Sequence, residues 1–214
     1  LVRCLASKPK LDPTKLDGIL LSHKHLDHSG DINTMIEAMT EGGYRRQGVL
    51  FAPKDALAED PVVFRYIRNY LERVEVLREN TDYFIGGLKF STARRHIHSV
   101  ETYGFNFYLS GATVSYITDT KFHPDLLTQY PGDLLLLNVV LLAGNPEHPI
   151  EHLSLDDVKV LLRDTKPKAV VLTHFGMRML QAKPWQMAER LSEETGIKVI
   201  AARDGMTLEV DKVI

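Results

Sequence analysis

The chain has 214 residues, of which 44% are hydrophobic, 25% charged and 8% aromatic, a composition that excludes disordered, collagen-like and coiled-coil states as the main architecture. Lys and Arg number 26 against 28 Asp and Glu, a formal net charge of -2, so no global positive field exists to collect extended nucleic acid. The single cysteine, Cys4, excludes a disulfide framework and a multi-cysteine zinc site and fits a reducing, cytoplasmic compartment.

No apolar run approaches the ~20 residues of a membrane span, so no membrane partner is expected. Without linkers, low-complexity tracts or repeats, residues 1–214 read as one domain. The chain opens on Leu1 with no signal-peptide pattern after it, which reads as a sequence beginning inside its gene product.

Gly18 to Ser22 is a short apolar run after the turn-like Asp12-Pro13 and before a polar cluster, the pattern of a buried strand ending in a loop. Asp31 is placed to cap a helix through Glu41, with Ile32, Met35, Ile36 and Met39 on one face and Gly42-Gly43 stopping it. Val49 to Ala52 reads as a second buried strand. Asp60-Pro61 then predicts a helix carrying Val63, Ile67, Tyr70, Leu71 and Val74, although Val74 to Leu77 also alternates like a strand.

From Tyr83 to Thr118 the period becomes two: Leu88, Phe90 and Thr92 share a face, and two strands around Ser110-Gly111 make a hairpin. Leu134 to Val140 is another buried strand, and Ser154 to Asp157 matches a capping box ahead of Val158, Leu161 and Leu162. Ala169 to Leu172 is a strand delivering Thr173 and His174. Pro184 opens a helix closed by Gly196, and the chain ends with Lys198 to Ala201, a turn at Asp204-Gly205, and a last strand-like stretch, Thr207 to Val210. Strands alternating with helices around an antiparallel block predict a layered α/β or α+β fold.

The most informative stretch is His23-Lys24-His25-Leu26-Asp27-His28, four metal-capable side chains within six residues. Imidazole nitrogen and carboxylate oxygen suit zinc-like divalent ions, and a loop after a strand can splay alternate side chains toward two ions. A pair of histidines would read as a solvated loop. Four donors at the mouth of a buried strand point to metal, provided distant partners exist. His98, Asp119 and His174 each follow a predicted strand, and active sites collect where strand ends converge. His96, two residues before His98, is a competing donor, while His123 and His148 read as surface histidines.

With these residues the sequence resembles the metallo-β-lactamase superfamily. The family's H-x-H-x-D-H motif is His23 to His28; its third histidine, with a glycine six residues on, is His98 with Gly104; its bridging aspartate is Asp119 in Thr118-Asp119-Thr120; its last histidine is His174 in Leu172-Thr173-His174. The resemblance implies a four-layer αββα sandwich with two divalent ions, zinc first and manganese or iron as alternatives. His23, His25 and His98 would hold one, Asp27, His28 and His174 the other, with Asp119 bridging. Only 22 residues precede His23, fewer than family members carry, so part of the N-terminal sheet is expected to be missing or donated.

Such a centre implies hydrolysis by an activated hydroxide, which Asp27 would also orient. His152 stands where phosphodiesterase members carry a non-ligand histidine, which implies a general acid or phosphate contact; the alternative is support of the helix start. The zinc-β-lactamase branch is disfavoured because most of its members need a cysteine at the second site, and the oxygen-reducing diiron branch because it carries Glu in place of His25. Small phosphodiesterases that open cyclic phosphates are closest in spacing. Glyoxalase-type thioesterases, tRNA 3′-end-processing endonucleases and a non-catalytic metal-binding protein are the alternatives. Against tRNA stands the interval of 21 residues from His98 to Asp119, too short for the arm such endonucleases use.

Overall fold

The computed structural model describes residues 1–144 and 150–214; His148, expected at the surface, lies outside them. Two sheets carry the fold. The first has three parallel strands, β1 (Gly18–Leu20), β2 (Val49–Ala52) and β3 (Arg73–Val76), in the order β1-β2-β3. The second runs β11-β10-β8-β7-β6-β5-β4, from β4 (Asp82–Ile85), β5 (Leu88–Thr92), β6 (Phe105–Leu109), β7 (Ala112–Ile117), β8 (Leu134–Leu141), β10 (Ala169–Thr173) and β11 (Lys198–Ala201), with the two-residue β9 (Leu153–Ser154) beside β8. β4 to β7 pair antiparallel, as the period-two pattern predicts, and β7, β8, β10 and β11 pair parallel.

The side-chain alternation of each strand builds the layers. Phe51, Tyr83, Phe90 and Phe105 pack between the two sheets, Phe90 lying 5.0 Å edge-on from Phe51 between ring centroids. The other face of the first sheet is covered by α3 (Ile32–Met39), through Ile32, Ile36 and Met39. The other face of the second sheet presents Leu135, Leu137, Val139, Val170 and Leu172 to α5 (Leu155–Thr165) and α7 (Pro184–Thr195). Helix, sheet, sheet and helix therefore follow one another, an αββα sandwich of the predicted class. α5 starts in a capping box, Ser154 and Asp157 satisfying each other's backbone N–H groups.

Four sequence expectations are corrected. The helix predicted after Asp60-Pro61 is absent: only a 3-10 turn, Ile67–Tyr70, forms, and Val74 belongs to β3. Val63, Ile67 and Leu71 are buried at fourfold spacing as a helix would bury them, but side chains satisfy the backbone instead. Asn33 bonds Val62 O and Phe64 N, and the Arg68 guanidinium donates to Val63 O.

Asp31 makes no side-chain cap bond to α3, its carboxylate accepting instead from the Thr34 hydroxyl; the helix ends at Met39, short of Glu41. His123 is half-buried, its Nε2 enclosed without a hydrogen-bond partner, and so is no surface residue. Finally, Thr207 to Val210 adds no strand. After the turn at Arg203 to Met206, Leu208, Val210 and Val213, the last two in a short helix at Val210–Val213, cover Val114, Leu134, Ala169 and Val171 on the inner face of the second sheet. Burying apolar side chains on an open sheet face outweighs pairing at its edge.

Candidate metal centre

Antiparallel pairing of β5, β6 and β7 makes β5 and β7 run the same way, and β8 and β10 are parallel to β7. The C-terminal ends of these four strands thus share one edge of the sheet. His98 lies in the loop after β5, Asp119 two residues past β7, His152 just before β9, and His174 immediately past β10. The polar stretch after β1 faces the same edge. His23 is extended, and a single helical turn, α2 (Leu26–Ser29), carries Asp27 and His28. His174 holds a left-handed backbone, φ 58, which is costly for a residue other than glycine and is tolerated where surrounding structure imposes it.

All seven predicted donors come together, in two groups. His23, His25 and His98 form one; Asp27, His28, Asp119 and His174 form the other; within each, one donor atom per residue lies within 4.8 Å of the rest. Asp119 Oδ2 joins them, 3.6 Å from His23 Nε2 and 3.2 Å from His28 Nε2. His98 Nε2 stands 3.0 Å from His25 Nδ1, and His28 Nε2 stands 2.9 Å from His174 Nε2. Two ligand nitrogens on one tetrahedral ion, each ~2.0–2.1 Å from it, are about 3.3 Å apart, so these spacings are those of neighbours in a coordination shell.

A backbone carbonyl and a side-chain hydroxyl prepare two of these imidazoles. Glu151 O lies 3.1 Å from His98 Nδ1; a carbonyl can only accept, so Nδ1 carries the proton and Nε2 is left with its lone pair inward. Ser22 Oγ lies 3.1 Å from His23 Nδ1, while His23 Nε2 is buried with no hydrogen-bond partner among the described residues. An orphaned ring nitrogen in a fully buried residue costs free energy unless something binds it. A divalent cation fits that nitrogen, the lone pairs around it and the Asp119 carboxylate.

Electrostatics agree. Burial, then the neighbouring His28, pushes His23 down to about 3, so it stays neutral and able to donate to a metal. Burial lowers His98 as well. Burial alone would raise Asp119, but hydrogen bonds from His28 and Asn138 and the charge of His174 outweigh it and hold the carboxyl well below its usual range. Asp27 is likewise held low, burial opposing and the His28 charge leading the lowering.

His152 is brought into the same cleft. Its Nδ1 is enclosed without a partner among the described residues, 3.7 Å from Asp119 Oδ2, and its ring lies 5.1 Å from that of His98. The competing donor His96 is not. It is buried beneath the centre, Nδ1 on Asp119 O at 3.2 Å and Nε2 on the Tyr130 hydroxyl. Gly104 permits that arrangement, since a Cβ there would meet the Tyr130 hydroxyl at 2.3 Å and the His96 ring at 2.9 Å.

Sequence reasoning missed the groups that support these side chains. Asn138 Nδ2 donates to Asp119 Oδ1 at 2.7 Å, and its signal was a single amide inside the apolar run Leu134 to Val140. Ser22 and the Glu151 carbonyl had no signal, because their role depends on which loop lies beside them.

A sequence profile described as "Beta-lactamase superfamily domain" matches residues 3–175. The chain belongs to the beta-lactamase superfamily. Among curated proteins, Uncharacterized protein MJ1374 of Methanocaldococcus jannaschii is 28% identical over 211 residues, 94% of this chain and 77% of that one. Among solved structures, the metallo-beta-lactamase fold protein YhfI of Bacillus subtilis superposes with TM-score 0.74 at 18% identity, covering 91% of this chain and 78% of its own. A diphosphatase described as belonging to the PhnP family gives TM-score 0.64 at 25% identity, covering 90% and 70%. This beta-lactamase superfamily member therefore has a metallo-hydrolase fold with His and Asp clusters suited to divalent metal. None of its helices, among the described residues, is long and apolar enough to cross a membrane.

Proposed function

We propose that this superfamily member is a metal-dependent hydrolase that holds two divalent ions, zinc by preference, and cleaves a small phosphodiester, cyclic diesters included. One observation carries the reading: seven donors lie at shell-like spacings in two groups that share Asp119. His23, His25 and His98 hold one ion, Asp27, His28 and His174 the other, and Asp119 serves both. Two ions held by these residues would supply a water nucleophile at neutral pH and Lewis-acid stabilisation of the oxygens that carry charge in a displacement.

The chain's own groups do the rest. Asp27, its side chain 65% exposed at the mouth, accepts a hydrogen bond from the attacking water and so orients it. His152 donates a proton to the leaving alkoxide. Burial lowers its pKa despite the opposing Asp119 carboxylate, so a proton on this ring is given up more readily than one on a free imidazole.

A small substrate is supported by what fills the interval between His98 and Asp119, namely the β6–β7 hairpin. In the pairs Arg45-Arg46 and Arg94-Arg95, three of the four side chains are engaged within the protein and build no phosphate track: Arg45 faces Glu41, Arg46 bonds Leu71 O, and Arg94 pairs with Asp125 at 3.0 Å. The neighbour described as a diphosphatase supports phosphorus chemistry on this fold.

The test is metal content together with turnover of bis-p-nitrophenyl phosphate and a 2′,3′-cyclic nucleotide. Metal-dependent turnover of both is expected, with precursor tRNA cleaved poorly. Efficient, salt-sensitive tRNA cleavage, or turnover confined to a glutathione thioester, overturns the substrate class. A fully metal-loaded protein inert toward every ester overturns the enzymatic reading.

A further inference from the structure

Beside the metal centre, beyond the ends of β10 and β11, lies a groove of about 880 Å³, within the ~300–1,000 Å³ typical of small-ligand sites. We propose that it seats the aromatic base of the substrate, stacked on Trp185, so that the diester cleaved is a nucleotide. The proposal rests on the phosphodiesterase reading of the adjoining centre.

His174 belongs both to the donor cluster and to the groove wall, so a ligand in the groove is continuous with the reacting atoms. Phe175, Leu180, Trp185 and Met206 make its apolar lining. Trp185 is 61% exposed and Leu180 49%; the largest apolar side chain in the protein is left facing solvent next to the centre. Local backbone holds it there. Pro184 is buried at the first position of α7, and Lys183 before it takes a left-handed conformation, φ 60, an uncommon backbone for a side chain other than glycine. The indole thus projects from a rigid helix start, the requirement for a stacking platform that binds without ordering a loop.

Charge in the groove also favours a nucleotide. Its carboxylate, Asp204, is taken by Arg3. Arg203 is exposed in the lining of the groove, and a guanidinium can stack on a base or bond its acceptor edge. A small aliphatic diester would leave the groove unfilled.

Trp185 is the only tryptophan, so indole emission reports on this groove alone. The zinc-loaded protein is titrated with AMP and, separately, with ribose 5-phosphate. Saturable quenching by AMP and none by ribose 5-phosphate is expected. With 2′,3′-cyclic AMP as substrate, Trp185→Leu should raise KM about 10-fold with kcat within about twofold, and Trp185→Phe should restore most of the loss. Neither change should alter KM for methyl riboside 2,3-cyclic phosphate, which lacks the base. Unchanged emission with AMP, or equal use of the two cyclic phosphates by the native protein, overturns the groove while leaving the phosphodiesterase reading intact. Saturable quenching by AMP in a protein that turns over no diester does the reverse.

Discussion

The two donor groups differ in kind. His23, His25 and His98 contribute imidazoles only, and His23 is completely buried; Asp27, His28, Asp119 and His174 include two carboxylates, with Asp27 open to solvent. A dication in the first group would have its charge offset by no anion of its own and would depend on the shared Asp119. A dication in the second would be neutralised locally and stay accessible at the mouth. The comparison teaches that one buried carboxylate lies between two electrostatically unlike donor groups, an arrangement that would let bound ions polarise water on one side and exchange ligands on the other.

The sharpest way to break the comparison is Asp119→Ala. It removes the ligand common to both groups and leaves the first with no negative charge, so both ions and essentially all turnover should be lost together. Metal analysis after gel filtration, alongside diester turnover, checks this; retention of either ion with full stoichiometry would show that the groups are independent.

His152→Ala should cost less and act on only one of the two properties. Turnover should fall ~10²- to 10⁴-fold, the range for a lost general acid, with both ions kept. Loss of metal would instead place His152 among the ligands, and unchanged turnover would leave it a support for the start of α5.

A smaller effect is expected from Asn138→Ala, which removes the 2.7 Å hydrogen bond to Asp119 Oδ1 without touching a ligand atom. Metal affinity should drop ~10- to 100-fold, as for other groups that orient a ligand, and competition with a chelator measures it. If affinity stays within a factor of two or so of the native value, Asp119 is oriented by its histidines alone.

A test of a different kind uses pH in the metal-free protein, setting the buried histidines against the carboxylates. Folding depresses His23 to about 3, and also His96 beneath the centre, in each case chiefly through burial. The native state keeps both neutral while the unfolded chain protonates near 6.5. Their destabilising effect is therefore absent above pH 6.5 and grows as pH falls toward 3, at about 1.4 kcal/mol per pH unit for each proton taken up. The lowered Asp27 and Asp119 act in a different window. Their contribution is present above the ordinary carboxyl range near 3.8 and is lost only below it. Urea melts of chelated protein at pH 7.5, 5.5 and 4.5 should show the histidine loss alone, and equal stability at all three would contradict the burial of neutral imidazoles.

Legibility in the sequence followed the range of the interactions. The period-two block from Tyr83 to Thr118 and the capping box at Ser154 appear as read, because strand alternation and a reciprocal cap are settled within a few residues. Residues 60–71 misled for the opposite reason. Their helical spacing is real as burial, but Asn33 and Arg68 supply the hydrogen bonds that would otherwise have come from a helical backbone. The C-terminal stretch misled similarly, its alternation serving a sheet face left open and not a new edge strand.

What the sequence determined by itself is the donor chemistry. His23 to His28 stand within one short stretch, and His98, Asp119 and His174 each come after a predicted strand, so the candidate donors and their approach from one sheet edge were readable. Only the tertiary structure decided which donors meet, because two parallel alignments, β7 with β8 and β8 with β10, bring together residues far apart in the chain. It also decided that His98 faces the centre and His96 the core: the Glu151 carbonyl and the Tyr130 hydroxyl, both distant in sequence, each claim one ring. Burial did the rest, leaving His23 Nε2 without a partner and Trp185 without a cover. Neither property belongs to a residue or its neighbours in sequence; each depends on what the rest of the fold places, or fails to place, against it.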